Sequence, residues 1–286
     1  MPRLQDKVAF VTGAAQGIGL GIAQAFIDEG AIVILSDVND EMGQAQADKL
    51  GDRASYVHLD VCDELKWTQA IDGIVQTHGQ LDILVNNAGI TGFDMDLGSQ
   101  DPEHATLEGW RRVHETNLDG TFLGCKHAIR VMRPQGTGSI INLSSRSGVV
   151  GIPRAAAYAS SKAAIRNHSK SVALYCAEEG LNIRCNSIQP AAILTPMWDA
   201  SIGTGPDREA NIAKFAAGCP MGRFGTVEEG AAIALYHGHR FQPRRGHARG
   251  HRDLASTKER LNEGGFGLLD EPVCIDTAKG LRLESF

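Results

Sequence analysis

The sequence lacks an excess of basic residues, a long apolar run and cysteine pairs at metal-binding spacing. Its 286 residues carry a formal net charge of −6, which argues against a general nucleic-acid or anionic-membrane surface. Without a signal-peptide core or a membrane-spanning run, a cytoplasmic protein is expected. The six cysteines are scattered without CxxC or His-spaced pairs, which favours free thiols over disulfides or a zinc site.

Short runs rich in β-branched residues alternate with longer helix-period segments from Val8 to Ile188. This alternation predicts right-handed βαβ crossovers and a parallel sheet with helices on both faces. We therefore predict a single α/β domain over residues 1–236, a three-layer doubly wound sheet. Residues 90–106 and 195–206 match neither a strand nor a helix, and loops that follow parallel strands commonly bind ligands.

A glycine-rich turn occupies residues 12–19, where Thr-Gly-Ala-Ala-Gln-Gly-Ile-Gly leaves a predicted strand and opens a predicted helix. Glycines let backbone N–H groups approach a pyrophosphate, whose charge the helix N-terminus favours. Asp37 ends the second predicted strand, where an acid binds ribose hydroxyls and repels a 2′-phosphate. Because the nearby sequence offers no cation for such a phosphate, NAD is predicted over NADP. A solvated turn acid or a helix N-cap is the structural alternative for Asp37.

Tyr158 and Lys162 are four residues apart, which is about one helical turn, so their side chains share a helix face. A cation within a few ångströms favours the phenolate and lowers the pKa of a tyrosine toward neutrality. Such a tyrosine can exchange a proton with an alcohol or a ketone. Taken alone, the pair is more typical of an ordinary amphipathic helix with an exposed Lys and a half-buried Tyr.

Four motifs in order carry a family resemblance: TGxxxGxG at 12–19, Asn-Asn-Ala-Gly at 86–89, Ser144, and YxxxK at 158–162. Together they resemble the short-chain dehydrogenase/reductase family over about residues 4–236. The resemblance implies a single-domain Rossmann-type enzyme with seven parallel strands. It also implies hydride transfer between a nicotinamide ring and a carbonyl or hydroxyl carbon.

The resemblance also implies four catalytic roles. Tyr158 is the expected acid/base, Lys162 the cation that lowers its pKa, and Ser144 the hydroxyl that polarises the substrate oxygen. On sequence alone Ser145 and Ser147 compete with Ser144, and the family pattern favours Ser144.

Asn117 has the fourth role. It lies within a helix predicted from about Leu107 to Met132, where asparagine is unfavourable because of its competing local hydrogen bonds. By resemblance it loosens that helix and holds a water that links Lys162 to solvent.

Cofactor contacts follow from the same resemblance. Asp60 and Val61 are expected at the adenine ring, and Ile193 and Thr195 at the nicotinamide carboxamide. The family usually has Pro-Gly where this chain has Pro-Ala at 190–191, which affects only local backbone freedom. The full predicted set is Gly13, Gln16, Gly17, Ile18, Gly19, Asp37, Asp60, Val61, Asn87, Gly89, Tyr158, Lys162, Pro190, Ile193 and Thr195, with no metal ligand.

The predicted partner is a small-molecule alcohol or ketone, without nucleic acid or membrane, and a homodimer or homotetramer is expected. The segments that would cover the substrate are mostly apolar, which suits a cyclic or steroid-like substrate. The residues concerned are Ile90, Phe93, Met95, Val149, Met197 and Trp198, beside Thr204 and Arg208.

The chain departs from the family pattern in residues 237–252, which hold five arginines, four histidines and no acid. A nucleic-acid arm and a histidine metal site are two interpretations. We favour a third, a divergent segment over residues 237–286, such as an out-of-frame reading, in place of the usual last strand. Val273-Cys-Ile is the one short β-like run within it. A cofactor-binding protein without turnover is the alternative function that this departure leaves open.

Overall fold

The computed structural model of the protein describes residues 2–93, 95 and 97–239. Within these residues six parallel strands form one sheet in the order β3-β2-β1-β4-β5-β6. The strands are β1 Val8–Thr12, β2 Ile32–Asp37, β3 Ala54–His58, β4 Ile83–Asn86, β5 Gly138–Leu143 and β6 Ile183–Ile188.

Helices cover both faces of the sheet, which confirms the predicted three-layer, doubly wound Rossmann-type fold. The helices are α1 Gly17–Asp28, α2 Asp40–Leu50, α3 Glu64–His78, α4 Leu107–His114, α5 Gly120–Gln135, α6 Ala156–Glu178, α7 Asp199–Ile202, α8 Arg208–Ala216 and α9 Val227–His239. The strand order reverses between β1 and β4. In such sheets the ligand crevice lies at this switch point, outside the carboxyl ends of the strands.

Two apolar cores fill the layers, because successive strand residues point to opposite faces. Phe10 of β1 joins the core of α3, α5 and α6, where its ring meets Trp67 edge-on with centroids 5.9 Å apart. The next residue, Val11, lies in the other core with Phe26 of α1 and Leu235 of α9. The sheet is therefore buried on both sides, and its carboxyl edge is left to build a site.

The secondary structure predicted for two segments was wrong in detail. The helix expected over 107–132 is divided by a π-helical segment at Glu115–Asp119, between α4 and α5. The segment 195–206, expected to be irregular, contains a 3₁₀ turn at Pro196–Trp198 and then α7. Here short helical turns satisfy backbone groups that an irregular loop would leave to water.

Among the described residues, helix α9 (Val227–His239) runs past the predicted boundary at residue 236. Its His237 carbonyl accepts hydrogen bonds from Ser139 Oγ (3.2 Å) and Arg184 Nη2 (2.8 Å). The seventh strand that the resemblance implied is not among the described residues, and Val273-Cys-Ile and residues 240–252 lie outside them. Across the described residues no helix is long and apolar enough to cross a membrane.

Candidate active site

The glycine-rich turn packs directly against the end of β4. Asn87 Nδ2 donates to the carbonyls of Thr12 and Gly13, both at 2.9 Å. Gly13 has a positive φ of 63°, and a Cβ there would lie 2.7 Å from the Ala88 Cα. A Cβ on Gly19 would overlap the Gly13 carbonyl oxygen. The turn therefore packs so closely against the end of β4 that only glycine fits at these two positions. Asn87 holds the turn in place through its two hydrogen bonds.

The N-terminus of α1 is left open for an anion. Gln16, at the N-cap, makes no side-chain capping bond, and the first turn contains no acid. Its N–H groups and dipole therefore suit a pyrophosphate. Ile18 packs partly into the core, and a Cβ on Gly17 would lie 3.5 Å from the Thr195 side chain. These features fit a dinucleotide between the turn and the 190–195 segment.

Asp37 sits at the end of β2 with its carboxylate fixed over the same turn. One oxygen accepts from Ala15 N at 3.2 Å, and the other accepts from Val38 N and Asn39 N at 2.8 and 3.1 Å. Backbone donors thus hold the acid beside the phosphate-binding loop. This places a fixed negative charge where an adenosine ribose would lie.

The two residues predicted at the adenine ring differ in their surroundings. Asp60 is half-buried, and its carboxylate accepts from Cys62 N at 3.0 Å. The Val61 side chain is buried in the core, and its carbonyl accepts from Trp67 Nε1 at 2.9 Å. The Val61 side chain is therefore hidden from solvent, and the contact of residues 60 and 61 with an adenine stays a prediction.

Lys162 lies buried on α6, and its Nζ donates to the Leu143 carbonyl at 2.8 Å. Burial lowers the pKa of Lys162 to about 8. The same Nζ lies 5.6 Å from the centre of the Tyr158 ring, within cation–π range. The predicted pair is therefore brought together, with the ammonium directed at the end of β5.

The predicted role of Lys162 in lowering the Tyr158 pKa stays a prediction, because burial acts on the phenol in the opposite direction. Burial raises the pKa of Tyr158 above its ordinary value, and a hydrogen bond with Ser145 partly opposes this rise. Desolvation outweighs the lysine because the ammonium is bonded to the Leu143 carbonyl instead of the phenol oxygen. Tyr158 consequently holds its proton at neutral pH.

The hydroxyl of Ser144, predicted to polarise the substrate oxygen, is engaged within the fold. Its Oγ is buried and donates to the Lys162 carbonyl at 2.6 Å, so it supports α6. Ser145 instead acts on Tyr158 by lowering its pKa, and its Oγ accepts from Ser147 N at 3.0 Å. The sequence offered no signal for this choice beyond the adjacency of the two serines.

Asn117 is fully buried in the π-helical segment. Its side chain pairs with both backbone groups of Ile90 and donates to Ser161 Oγ of α6, at 2.8 to 3.0 Å. A Cβ on Gly89 would lie 3.0 Å from Asn117 Oδ1 and 3.3 Å from Lys162 Nζ. The loosened helix thus brings Asn117 and Lys162 around Gly89, while the water-holding role of Asn117 stays a prediction.

The segment predicted to meet the nicotinamide is tied to its neighbours by backbone bonds. The Pro190 carbonyl accepts from Arg146 N at 2.9 Å, and Ile193 bridges Gly225. Thr195 occupies the N-cap position of the following 3₁₀ turn without a side-chain capping bond, and its side chain faces Gly17. The segment therefore spans from the β5 end to the cofactor turn, as a carboxamide-binding loop requires.

Exposed apolar side chains surround this edge of the sheet, among them Phe93, Met95, Val149 and Met197. Trp198 is less available than predicted, since its ring packs edge-on against Phe215 and Phe224. Arg208 is also engaged, in an ion pair with Asp199 at 2.8 Å. Thr204 is exposed. The rim of the site is thus largely apolar.

A doubly wound parallel sheet, with a half-buried Tyr158 next to a buried Lys162 and a pyrophosphate-type turn at its carboxyl edge, defines a Rossmann-type oxidoreductase. The family profile described as enoyl-(acyl carrier protein) reductase matches residues 13–237. The chain belongs to the short-chain dehydrogenase/reductase family, as the sequence resemblance predicted. Members of this family bind a nicotinamide cofactor, and the relatives found are alcohol and hydroxysteroid dehydrogenases.

Three proteins that are similar to this chain differ in the substrate class that their names give. The 3-beta-hydroxysteroid dehydrogenase of Comamonas testosteroni is 42% identical over 207 residues, 72% of this chain and 79% of that protein. An NADP-dependent (R)-specific alcohol dehydrogenase of Lentilactobacillus kefiri is 38% identical over 237 residues, 82% and 90% of the two chains. The ligand-free aldohexose dehydrogenase of Thermoplasma acidophilum superposes with a TM-score of 0.72 at 33% identity, covering 83% and 88%.

Proposed function

We propose that this protein is an NAD-dependent oxidoreductase that interconverts a secondary alcohol and a ketone. The observation that carries the proposal is the placement of the half-buried Tyr158 beside the buried Lys162 at the carboxyl edge, with the ammonium 5.6 Å from the phenol ring and Ser145 acting on the phenol. Gly13, Gly19, Asp37 and the open N-terminus of α1 would hold the cofactor. A bound nicotinamide supplies or accepts the hydride.

Side chains of this protein transfer the proton and donate a hydrogen bond to the substrate oxygen. Because burial raises its pKa, Tyr158 carries its proton and acts as general acid toward a ketone oxygen. In the reverse direction it takes the proton of the alcohol. The Ser145 oxygen is occupied as acceptor by Ser147 N–H, which leaves its O–H to donate to the substrate oxygen and stabilise developing charge. Lys162 would hold the nicotinamide ribose and favour the phenolate when Tyr158 is deprotonated.

The preference for NAD over NADP rests on Asp37. Its carboxylate is fixed beside the cofactor turn and would repel a 2′-phosphate while accepting bonds from ribose hydroxyls. Family membership leaves the choice open, because the Lentilactobacillus relative is NADP-dependent. The fixed acid is therefore the feature that supports NAD.

The apolar rim supports a cyclic or steroid-like substrate, in line with the hydroxysteroid relative. The aldohexose dehydrogenase represents the competing class of polyol substrates. A cytoplasmic location and a homodimer or homotetramer remain predictions from the sequence.

NADH absorbance with cyclic alcohols, steroid alcohols and aldohexoses, in the presence of either NAD or NADP, tests the proposal. Tyr158→Phe should lose at least about a hundredfold in kcat because it removes the general acid/base. NADH binding, measured by fluorescence, should persist. Binding of NADH without turnover of any alcohol would favour the cofactor-binding alternative over an enzyme.

A further inference from the structure

Residues 223–229 hold the segment that would meet the nicotinamide, because their backbone is bonded to it. Gly225 N donates to the Ala192 carbonyl at 2.8 Å, and Leu194 N donates to the Gly225 carbonyl at 3.1 Å. Ile193, between these two partners, is predicted to contact the carboxamide. A Cβ on Gly225 would lie 2.5 Å from Ile193 Cδ1, so the Ile193 side chain fills the space beside this glycine. The position of Gly225 therefore sets the position of Ile193.

Apolar packing anchors residues 223–229 on either side of Gly225. Phe224 is buried, and its ring meets the Trp198 ring edge-on with centroids 5.0 Å apart. At the start of α9, Val227 packs on α1 so closely that a Cβ on Gly21 would overlap Val227 Cγ1. Gly225 lies between these anchors and has no side chain of its own to restrict its backbone. Its conformation must therefore be fixed by neighbouring groups.

An ion pair between Arg223 and Glu229 supplies those groups. Arg223 Nη1 and Nη2 donate to the two carboxylate oxygens at 3.0 and 2.6 Å, a bidentate arrangement. Arg223 Nη1 also donates to the Phe224 carbonyl at 2.9 Å. Glu229 accepts from Thr226 N at 2.8 Å, and its own N–H donates to Thr226 Oγ1 at 3.3 Å, which is a capping box. The pair thus holds the peptide group before Gly225 and the one after it.

The surroundings of this ion pair suit a local role better than a role in global stability. The two side chains are 45% and 47% exposed, and exposed ion pairs contribute little to the free energy of folding. Hydrogen bonds from Arg223 and from Thr226 N lower the pKa of Glu229 to about 2, so its carboxylate is charged at neutral pH. The bidentate contact is therefore present under the conditions in which a cofactor would bind.

We propose that Arg223 and Glu229 are positioning residues for the nicotinamide. By fixing Gly225 on both sides, they hold Ile193 where it would bind the carboxamide. This inference rests on the proposed cofactor site. The acid at the end of β2, which would bind the adenosine ribose, is held by separate backbone donors. Loss of the ion pair should therefore weaken binding of the nicotinamide end of the cofactor and spare the adenosine end.

The test compares NADH with ADP-ribose, which lacks the nicotinamide and keeps the rest of the dinucleotide. Kd values for both are measured by calorimetry on the unaltered protein, Arg223→Gln and Glu229→Gln. We expect the Kd for NADH to rise about three- to tenfold in each variant, and the Kd for ADP-ribose to stay within about twofold. Glutamine at 229 can still complete the capping box, so the effect of Glu229→Gln reports the lost ion pair.

Arg130→Gln is the matched control. It removes an ion pair with Asp72 whose side chains are 46% and 54% exposed, on α5 and α3. Both Kd values should stay unchanged in this variant, because neither residue contacts residues 190–195 or 223–229 through that pair. Thermal unfolding of every variant shows whether it is folded.

Three outcomes would overturn the inference. One is an unchanged Kd for NADH in both variants, and another is an equal loss of NADH and ADP-ribose binding, which indicates a general structural role. The third is failure of both variants to fold, since the pair would then support the fold itself. Turnover of alcohols is scored separately. Selective loss of NADH binding in a protein that oxidises no alcohol would refute the proposed activity and keep this inference, whereas no NADH binding by the unaltered protein would refute both.

Discussion

Substituting Ser144 and Ser145 one at a time by alanine should separate a structural hydroxyl from a catalytic one. Ser145→Ala removes the side chain that hydrogen-bonds to Tyr158. Loss of one such donor at a reacting oxygen typically lowers kcat by about 10²–10³. Since Ser145 also accepts from Ser147 N, a stability loss of roughly 1 kcal/mol accompanies the kinetic effect.

Ser144→Ala should lower the stability of the protein and leave kcat nearly unchanged. It leaves the Lys162 carbonyl without the buried hydroxyl that donates to it at 2.6 Å. Because this carbonyl keeps its hydrogen bond within α6, losing the extra bond costs about 0.5–1.5 kcal/mol, and each kcal/mol shifts Tm by roughly 2–4 °C in a domain of this size. We expect kcat to stay within about tenfold, because the lost bond touches only the backbone of α6.

Two measurements on both variants decide the matter: kcat from NADH absorbance with a saturating cyclic alcohol, and Tm from thermal unfolding. Circular dichroism of both variants provides the control for folding. The reasoning fails if Ser144→Ala loses a hundredfold or more in kcat at unchanged Tm while Ser145→Ala remains active.

Three further predictions concern the cofactor turn and the core. Asp37→Ser should lower the ratio of NAD to NADP kcat/KM by roughly tenfold or more, because it removes the charge that repels a 2′-phosphate; an unchanged ratio would contradict this. Gly19→Ala should weaken NADH binding and cost about 1–3 kcal/mol of stability by overpacking, whereas Gly73→Ala, with open space around it, should not destabilise. Burial, aided by Arg130, lowers the pKa of His127, so its protonation opposes folding. Thermal melts should therefore lose stability as pH falls below about 6.5, and less so in His127→Gln.

The sheet and its turn could be predicted from the sequence because each depends on local pattern. Buried parallel strands read as short β-branched runs, and the turn needs glycine wherever backbone meets backbone, as at Gly13. Asp37 was located by its place at the end of the second strand. Each of these features appears as a short local sequence pattern, even where, as at Gly13, the contact that requires it is with a residue distant in the chain.

The features that escaped prediction depend on contacts distant in sequence. Ser144 and Ser145 are adjacent, and only the path of the chain after β5 decides which one faces Tyr158. The prediction of a lowered Tyr158 pKa took only the charge of Lys162 into account. Burial, which raises the pKa of the phenol, is the larger influence. Asn117 was flagged as unusual within a helix, yet the pattern could not show that the helix opens into a π segment there.

The packing of α9 on α1 has a consequence for how the protein is made. The core that contains Phe26 of α1 is completed by Ala234 and Leu235 of α9. The burial of the apolar face of α1 therefore depends on the last described helix. A ribosome produces β1 and α1 long before α9 emerges, and until then this apolar face lacks its cover. The N-terminal half therefore cannot finish folding as it is synthesised. It is the part of the nascent chain that needs protection from aggregation for longest.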